Sequence, residues 1–253
     1  MNAKDKVYRY MSYAEFLDII RFNRLTLKYP GIWPDKLEAL FLKHFEGDDN
    51  VKKVIEIFQN KYPSLPLDDV KSNLQIISAV LIKMRCQCWT HKEDDLVMWN
   101  ERSGSEFVRI AVAKKSFDKY RKCRLVHRAV NYVEKVDLNK LLDHFANERI
   151  VTEFVLIKKS IFKYEDEYRL VLLPKDHSFE THSYGNSLPE FLCRHFHGLR
   201  SQFGLIDSHL DFDIHDIKDV KISPYATDDF SKLVEADCKQ YNVKYSGMSA
   251  ILE

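Results

Sequence analysis

Two glutamates separated by one residue stand in front of an apolar run late in the sequence. Glu165 and Glu167 precede the run 170–173, which is typical of a β-strand, and Arg169 follows at the same spacing. Side chains two residues apart on an extended chain point to the same face, so we expect two carboxylates close together with Arg169 next in the row. Because like charges repel, a cation, a metal or a catalytic role must hold them there. The alternative is a solvated acidic edge strand neutralised by Arg169.

Two earlier stretches carry side chains that could join these glutamates in a cleft. Arg9 lies between Tyr8 and Tyr10 on a predicted first strand, and Trp89 and Thr90 close a predicted middle strand. Arginine forms paired hydrogen bonds to phosphate, and aromatic rings stack on planar rings. A carboxylate can hold a ribose hydroxyl and stabilise positive charge that develops on the sugar carbon. Together these residue types suit a pyrophosphate-bearing ligand with a planar ring.

The composition is that of a folded domain without a dominant charge. The chain has 253 residues, of which 45% are hydrophobic, and 39 Lys and Arg balance 38 Asp and Glu. This length supports one sizeable core or two small ones, and the charge balance does not favour a general nucleic-acid coat or a membrane surface. Five cysteines without regular spacing favour a reducing compartment. With no signal peptide and no apolar run of membrane-spanning length, we expect a soluble, cytoplasmic protein.

Helical and strand patterns alternate irregularly, which predicts an α+β fold in a single domain over residues 1–253. Strands are predicted at 7–11, 25–28, 85–90, 106–113, 123–134, 160–173, 220–224 and 243–246. Helices are predicted at 12–23, opened by a Ser12/Glu15 capping box, and at 34–45, 51–62, 68–83, 93–99, 117–121, 136–146, 151–161 and 189–199. Asp68 or Asp69 is predicted to cap the helix at 68–83, and Thr227 or Asp228 to cap a last helix. The helical stretch 34–84 interrupts the β-rich segments and is predicted to be an insert or subdomain.

Other kinds of site have weaker signals in this sequence. No glycine-rich nucleotide loop opens a helix after a strand, and no Gly-x-Ser-x-Gly elbow is present. Cys86 and Cys88 share a predicted strand, but no second Cys or His pair follows at zinc-finger spacing, so buried apolar cysteines are the better interpretation. We therefore expect no metal site.

Several short motifs make the chain similar to an uncharacterised bacterial family, known as a domain of unknown function. The matching segments are 8–10 (Tyr-Arg-Tyr), 34–38, 88–90 (Cys-Trp-Thr), 98–99 (Met-Trp), Lys159 and Phe162 with 165–169 (Glu-Asp-Glu-Tyr-Arg), 220–224 and Ser246. The chain departs from the family pattern where the turn at 34–38 lacks its Asn and Pro, and where Asn100 and Glu101 replace His-Tyr. The resemblance does not account for the insert.

The order of three motifs also resembles that of the diphtheria- and cholera-toxin-like ADP-ribosyltransferases. Those enzymes place Arg or His on an early strand, Ser-Thr-Ser or Tyr on a middle strand, and Glu-x-Glu or a single Glu on a late strand. The resemblance implies a split mixed β-sheet that holds NAD, as co-substrate, in its crevice. It implies that Arg9 holds a phosphate or ribose and that Thr90 supports the site, while Tyr8, Tyr10 or Trp89 stacks on nicotinamide.

The same resemblance assigns the chemistry to the two glutamates. Glu167 would bind the nicotinamide ribose and stabilise an oxocarbenium-like transition state, and Glu165 would orient or deprotonate a macromolecular acceptor, either protein or nucleic acid. Bacterial enzymes of this kind are often toxins or anti-phage effectors, so segment 34–84 could contact an antitoxin or another partner. Two other functions stay open: a non-catalytic module that binds a nucleotide or nucleic acid, and a metal-dependent nuclease that uses Glu165, Glu167 and Asp35.

Overall fold

A seven-stranded mixed β-sheet forms the centre of the molecule in the computed structural model, which describes residues 5–33, 48–101, 105–135, 137, 148–175 and 206–251. The strands are β1 (Lys6–Ser12), β2 (Arg24–Leu27), β3 (Arg85–Thr90), β4 (Phe107–Ala113), β5 (Leu125–Ala129), β6 (Asn131–Val133), β7 (Ile157–Lys159), β8 (Glu167–Leu172), β9 (Ser208–Asp211), β10 (Ile217–Ile222) and β11 (Tyr245–Met248). The order in the main sheet is β11-β10-β4-β1-β3-β8-β5, and β2 with β9 and β6 with β7 form two small ribbons. This mixture of helices and strands confirms the α+β class.

The helices that the structure describes are those the sequence pattern places between strands. They are α1 (Tyr13–Phe22), α2 (Asp48–Lys61), α3 (Leu67–Lys83), α4 (Leu96–Glu101), α5 (Glu148–Leu156) and α6 (Asp228–Gln240), and 3-10 helices cover Pro30–Ile32, Lys114–Cys123, Ser160–Glu165 and Ile214–Asp216. The predicted capping box opens α1, because Ser12 and Glu15 each accept a hydrogen bond from the other's backbone N–H at 3.3 Å. Of the two predicted caps of the last helix, Thr227 is the N-cap of α6 and accepts from the N–H of Phe230, whereas Asp228 lies in the first turn.

The sheet separates between two of its central strands. Strand β1 aligns with β4 from Lys6 to Ser12, but the register between β1 and β3 is limited to Tyr8 opposite Thr90. Strand β3 in turn aligns with β8 from Arg85 to Thr90. All neighbouring strands of this sheet are antiparallel except β10 and β11, which are parallel.

Hydrophobic residues cover both faces of the sheet. The side that carries Val7, Trp89 and Tyr168, which we call the α1 face, packs against α1 and α6. We call the side that carries Tyr8, Thr90 and Glu167 the carboxylate face. Near the start of β3 and the end of β8, this face is covered by apolar residues of α2, α3 and α5: Val54, Phe58, Leu74, Leu81 and Phe154. The described part of the predicted insert, α2 and α3, therefore contributes to the core of this domain.

Several predicted elements end elsewhere than the pattern indicates. The predicted helix at 151–161 ends at Leu156 and continues as β7, and the predicted strand at 123–134 is divided into β5 and β6. Asp68 and Asp69 lie in the first turn of α3, where they complement the helix dipole, but Pro66 is the N-cap and no side chain caps this helix. The predicted helices at 34–45, 136–146 and 189–199 lie outside the described residues, apart from residue 137. The same holds for residues 176–187, whose polar sequence predicts an exposed loop.

No helix within the described ranges has both the length and the apolar composition required to cross a lipid bilayer.

Candidate functional site

Three of the predicted site residues stand side by side on adjacent strands. Tyr8 of β1 is the partner of Thr90 of β3, and Thr90 is the partner of Glu167 of β8. Directly opposed residues of antiparallel strands point to the same face, so all three side chains leave the carboxylate face. The line continues through Ala111 of β4 to Asp219 of β10. We call these five residues the cross-strand row.

Glu165 does not extend the strand of Glu167, contrary to the sequence prediction. It ends the 3-10 helix Ser160–Glu165, and Asp166 then takes the left-handed conformation with a φ of 44°. Asp166 reverses the chain locally and donates its N–H to the carbonyl of Lys163 at 3.2 Å, so the strand begins at Glu167. The alternation of side chains on an extended chain therefore does not relate the two glutamates.

A lysine outside the motif brings the two carboxylates together. Nζ of Lys158 lies 2.7 Å from Oε2 of Glu165 and 3.3 Å from Oε2 of Glu167. Lys158 belongs to β7, which pairs with β6 so that Tyr132 is its cross-strand partner. The hydroxyl of Tyr132 accepts the backbone N–H of Glu167 at 2.8 Å. The ribbon of β6 and β7 thus supplies the cation that two neighbouring carboxylates require.

Arg169 provides the second positive charge, as the sequence predicts for this spacing. Its Nε and Nη2 donate to the two carboxylate oxygens of Glu167 at 2.6 and 2.9 Å, and Nη1 donates to the carbonyl of Val155 at 2.6 Å. The side chains of Glu167, Lys158 and Arg169 are 4%, 2% and 1% exposed, so the network is buried. Two cations and two carboxylates balance each other, which is what allows charged groups to be buried together. The alternative of a solvated acidic edge is therefore wrong for Glu167.

The environment of Glu167 keeps its carboxylate ionised. Burial favours the protonated form, but the charge and hydrogen bonds of Arg169 and the charge of Lys158 outweigh it, so the pKa of Glu167 lies below its ordinary value. Glu167 at neutral pH is thus a water-excluded negative charge.

Thr90 holds the segment that contains the glutamates against β3. Its hydroxyl donates to the carbonyl of Glu165 at 2.5 Å and accepts the N–H of Lys92 at 3.1 Å. Thr90 therefore links the end of β3 to the segment that precedes β8.

The aromatic residues divide between the two faces of the sheet. Tyr10 packs edge-on against Trp99, with ring centroids 4.7 Å apart, and its hydroxyl donates to the carbonyl of Glu93 at 3.2 Å. Trp89 leaves the α1 face, where it is buried against Phe117 with its indole N–H bonded to Gln87. Trp89 therefore lies on the side of the sheet opposite the row and belongs to the core rather than to a stacking surface.

Tyr8 differs from the other aromatic residues in the state of its hydroxyl. The side chain is 1% exposed, and among the described residues its hydroxyl interacts with the carboxylate of Glu93 without a hydrogen bond of good geometry. Burial and the nearby carboxylate of Glu93 raise the pKa of Tyr8 to about 12, so the hydroxyl is a neutral donor. A buried polar atom in this state is available to a ligand or to water.

Arg9 does not share a face of the sheet with Tyr8, Thr90 and Glu167. Since it lies between Tyr8 and Tyr10 on β1, its side chain leaves the opposite face. Its Nη1 donates to the carbonyl of Cys88 at 2.9 Å and its Nη2 lies 3.4 Å from Glu15, so it links β1 to β3 and to α1. The carbonyl that it contacts lies where β1 and β3 separate.

Arg109 of β4, which is not among the predicted site residues, also lies on the carboxylate face. Arg109 is the cross-strand partner of Tyr10, and its guanidinium carbon lies 4.9 Å from the centroid of the Tyr8 ring. It is bonded to Asp219 and to the carbonyl of Glu93, and its Nε has no hydrogen bond among the described residues. Arg109 stands in an apolar run, Phe107–Ala113, so the informative signal was a charged residue within a buried strand.

Within the described ranges, no group of three His, Cys, Asp or Glu side chains is placed to hold a metal ion. Asp35, which the nuclease alternative requires, lies outside them. Cys86 is buried, in agreement with its interpretation as an apolar core residue, and Cys88 is partly exposed.

No protein-family model matches the chain, and comparisons with curated proteins and with solved structures found no match.

Proposed function

We propose that the chain is an NAD-dependent ADP-ribosyltransferase whose site lies on the carboxylate face, where β1 and β3 separate. The observation that carries the proposal is the cross-strand row: three motifs far apart in the sequence place Tyr8, Thr90 and Glu167 next to each other on adjacent strands. The late strand presents its glutamate at its first residue, immediately after Glu165 and the turn at Asp166.

The electrostatic state of Glu167 suits the proposed chemistry. When the bond between nicotinamide and ribose breaks, nicotinamide leaves with the bonding electron pair and the ribose carbon becomes positively charged. An ionised carboxylate shielded from water stabilises that charge more strongly than an exposed one. The acceptor oxygen or nitrogen then bonds to this carbon and releases its proton. Glu165, which is 18% exposed at its side chain, is the more accessible of the two carboxylates to receive it.

The same face offers donors for the rest of the dinucleotide. We assign the phosphate-binding role of the predicted Arg9 to Arg109, because Arg109 is on the carboxylate face and its Nε is free of hydrogen bonds among the described residues. The unbonded hydroxyl of Tyr8 lies beside it and supplies a second donor. Tyr8 and Tyr10 are on the face of the sheet to which we assign the ligand, whereas Trp89 is on the opposite face.

The alternative of a non-catalytic binding module has one specific observation in its favour. Glu167 is almost completely buried, and both its oxygens are held by Arg169 and Lys158. A carboxylate engaged in this way can serve the fold alone. The two functions differ in turnover, because only the transferase releases nicotinamide.

The test is mass spectrometry of nicotinamide release and of modified cell lysate, with wild type, Glu167→Gln and a control, Glu153→Gln. Glu153 is partly exposed and pairs with Arg128, the cross-strand partner of Arg169, so its substitution removes a nearby carboxylate that is not part of the row. We expect wild type and the control to turn NAD over, and Glu167→Gln to bind NAD without turning it over. Binding without turnover in wild type supports the module, and equal turnover in all three proteins contradicts the role of Glu167.

A second variant keeps the test informative if Glu167→Gln does not fold. Tyr8→Phe retains the ring and removes a hydroxyl that makes no hydrogen bond of good geometry among the described residues, so we expect the fold to be retained. We expect it to weaken NAD binding several-fold, as measured by calorimetry. Unchanged affinity in Tyr8→Phe shows that NAD does not use the row, and absence of NAD binding to wild type overturns the proposal.

A further inference from the structure

The small ribbon of β2 and β9 has an edge that no other strand covers among the residues that the structure describes. Asp211 of β9 is paired with Arg24 of β2, and the next residue, Phe212, donates its N–H to the carbonyl of Asn23 at 2.7 Å. Hydrogen-bonded and non-hydrogen-bonded pairs alternate between antiparallel strands, so the N–H and C=O groups of His209 and Asp211 point away from β2. The outer edge of β9 therefore offers backbone donors and acceptors to an added strand.

The side chains of β9 alternate between the core and the surface. Leu210 is buried, whereas His209 and Asp211 are exposed, and the alternation continues past the strand with buried Phe212 and exposed Asp213. Side chains of a strand that pairs with this edge would alternate in the same way. Those on the outer face would lie beside His209 and Asp211.

A groove of about 590 Å³ lies at the end of this edge, where α1 meets β2. Phe22, the last residue of α1, is 62% exposed and contributes its ring to the groove. The other apolar residues that line it are Tyr120, Phe212 and Ile214. The groove has room for a large apolar side chain of a peptide that lies along β9.

The charged residues of the groove leave negative charge without a partner. Lys119 is the only lysine or arginine among the described lining residues, and its Nζ lies 2.6 Å from Oδ2 of Asp216 and 3.4 Å from Oδ2 of Asp213. Asp211, which also lines the groove, makes no ion pair with any residue that the structure describes. Three carboxylates around one ammonium group attract a cationic side chain.

Arg24, the cross-strand partner of Asp211, does not supply the missing positive charge. Its Nη2 and Nε donate to the two carboxylate oxygens of Asp18 at 2.7 and 3.2 Å. Its guanidinium carbon lies 4.8 Å from the centroid of the Phe22 ring. Arg24 is thus held by Asp18 and Phe22, and Asp211 stays available to a cation from outside.

We propose that the edge of β9 and this groove bind an extended segment of a partner protein that carries a lysine or arginine two residues from an aromatic residue. The backbone of the segment pairs with His209 and Asp211, as in other complexes that add a strand to a sheet edge. Its basic side chain lies beside Asp211, and its aromatic ring enters the groove against Phe22. None of these residues belongs to the cross-strand row, so this surface is independent of the proposed NAD site.

The experiment uses the full chain and a six-residue probe, acetyl-Thr-Lys-Thr-Phe-Thr-Lys-amide, whose lysines and phenylalanine share one face when extended. The comparison peptide has glutamate in place of both lysines. Calorimetry measures affinity, and hydrogen exchange followed by mass spectrometry measures protection of the amides of β9. We expect saturable binding of the lysine peptide alone, with slower exchange in β9. Absence of saturation by about 1 mM peptide, binding without protection of β9, or equal binding of both peptides overturns the proposal.

Two variants test the two parts of the surface separately. His209→Pro removes an outward N–H that makes no bond to β2, and an edge strand tolerates proline at such a position. Asp211→Asn removes the charge and keeps the shape. The control, Asp229→Asn, removes a carboxylate of α6 whose side chain is 97% exposed. We expect His209→Pro and Asp211→Asn each to bind the lysine peptide about fivefold more weakly, and the control to bind within about twofold of wild type. Unchanged affinity in the first two variants, or equal weakening in all three, overturns the proposal.

A second copy of this chain is the other occupant that an open strand edge admits. Sedimentation without peptide distinguishes the two occupants, because only self-pairing depends on the edge when no peptide is present. We expect wild type and His209→Pro to sediment alike. A dimer that His209→Pro dissociates shows that the edge pairs with itself and overturns the proposal.

Discussion

Glu167 and Arg169, two residues apart on β8, form a two-point ion pair inside the protein, with Nε and Nη2 of the arginine 2.6 and 2.9 Å from the two carboxylate oxygens. Both side chains are almost completely buried, so water cannot solvate the charge of one residue if the other is removed. Together with Lys158 it keeps the start of β8 in place. The ion pair therefore contributes to the stability of the fold.

Removing the arginine leaves a buried carboxylate that Lys158 neutralises only in part. We expect Arg169→Gln to lower the free energy of unfolding by about 3–5 kcal/mol in urea denaturation. The control is Arg24→Gln, since Arg24 pairs with Asp18 where both side chains are about one-third exposed, and there we expect about 1 kcal/mol or less. If the two variants lose similar unfolding free energy, burial does not increase the dependence of stability on the Glu167–Arg169 ion pair.

The position of Lys158 between two carboxylates predicts coupling between Lys158 and Glu165. Lys158→Met exposes Glu165 and Glu167 to mutual repulsion, so we expect a large loss of stability. Adding Glu165→Gln removes one of the repelling charges, and the double variant should recover about 1–3 kcal/mol relative to the sum of the single changes. A double-mutant cycle by urea denaturation measures this coupling. Simple additivity would contradict the bridging role of Lys158.

Thr90 links two segments through a single hydroxyl. We expect Thr90→Val, which keeps the shape, to cost about 1–3 kcal/mol because the N–H of Lys92 and the carbonyl of Glu165 lose their partner. Thr26→Val is the control, since Thr26 is only partly buried and its hydroxyl contacts Asp18 and His209 near the surface. Thermal unfolding compares the two variants. A loss in Thr26→Val as large as that in Thr90→Val would contradict the interpretation.

The lowered pKa of Glu167 predicts the behaviour of the protein in acid. The ionised form of Glu167 stabilises the fold fully above pH 4.5, the pKa of this side chain in the unfolded chain. This contribution is lost as the pH falls through the lower pKa that Glu167 has in the folded protein. We expect the unfolding free energy of wild type to fall more steeply below pH 4.5 than that of Glu167→Gln. Urea titrations from neutral to acidic pH give both slopes, and Glu153→Gln should follow wild type.

His127 should titrate at lower pH than a free histidine. Burial lowers its pKa, and the opposing attraction of Asp118 does not cancel this effect. Because the folded-state pKa is below the unfolded value of 6.5, protonation favours unfolding, and stability is lost as the pH falls from above 6.5. NMR titration of His127 measures the pKa directly. Asp118→Asn should lower it further, and a rise in that variant would contradict the assignment of the contact.

The sequence indicated most clearly those elements whose signals are local. The capping box of Ser12 and Glu15, the cap at Thr227 and the strand that ends at Thr90 are each set by residues within a few positions of each other. Residue chemistry predicts that the three motifs share a cleft, but the order of their strands follows only from the resemblance, because strand order depends on contacts between distant segments.

The rest of the site depends on features that spacing does not reveal. The left-handed turn at Asp166 breaks the alternation that was used to relate Glu165 to Glu167. Lys158 follows a stretch with helical periodicity, although it belongs to a strand. In the sequence, Arg109 is a single charged residue in an apolar run. Its contacts with Tyr8 and Asp219 come from strands distant in the chain and cannot be inferred from spacing.

The strand order has a consequence for how the protein reaches its native state. Strand β1 is the earliest of the described strands in the chain, yet it occupies the middle of the sheet, and its two neighbours come from residues 85–90 and 107–113. Its hydrogen-bonding edges must therefore stay unsatisfied while about 70 further residues are synthesised, and pairings of such large sequence separation slow folding. Until then β1 offers two open edges to other chains, so yield on expression should depend strongly on temperature and on chaperones.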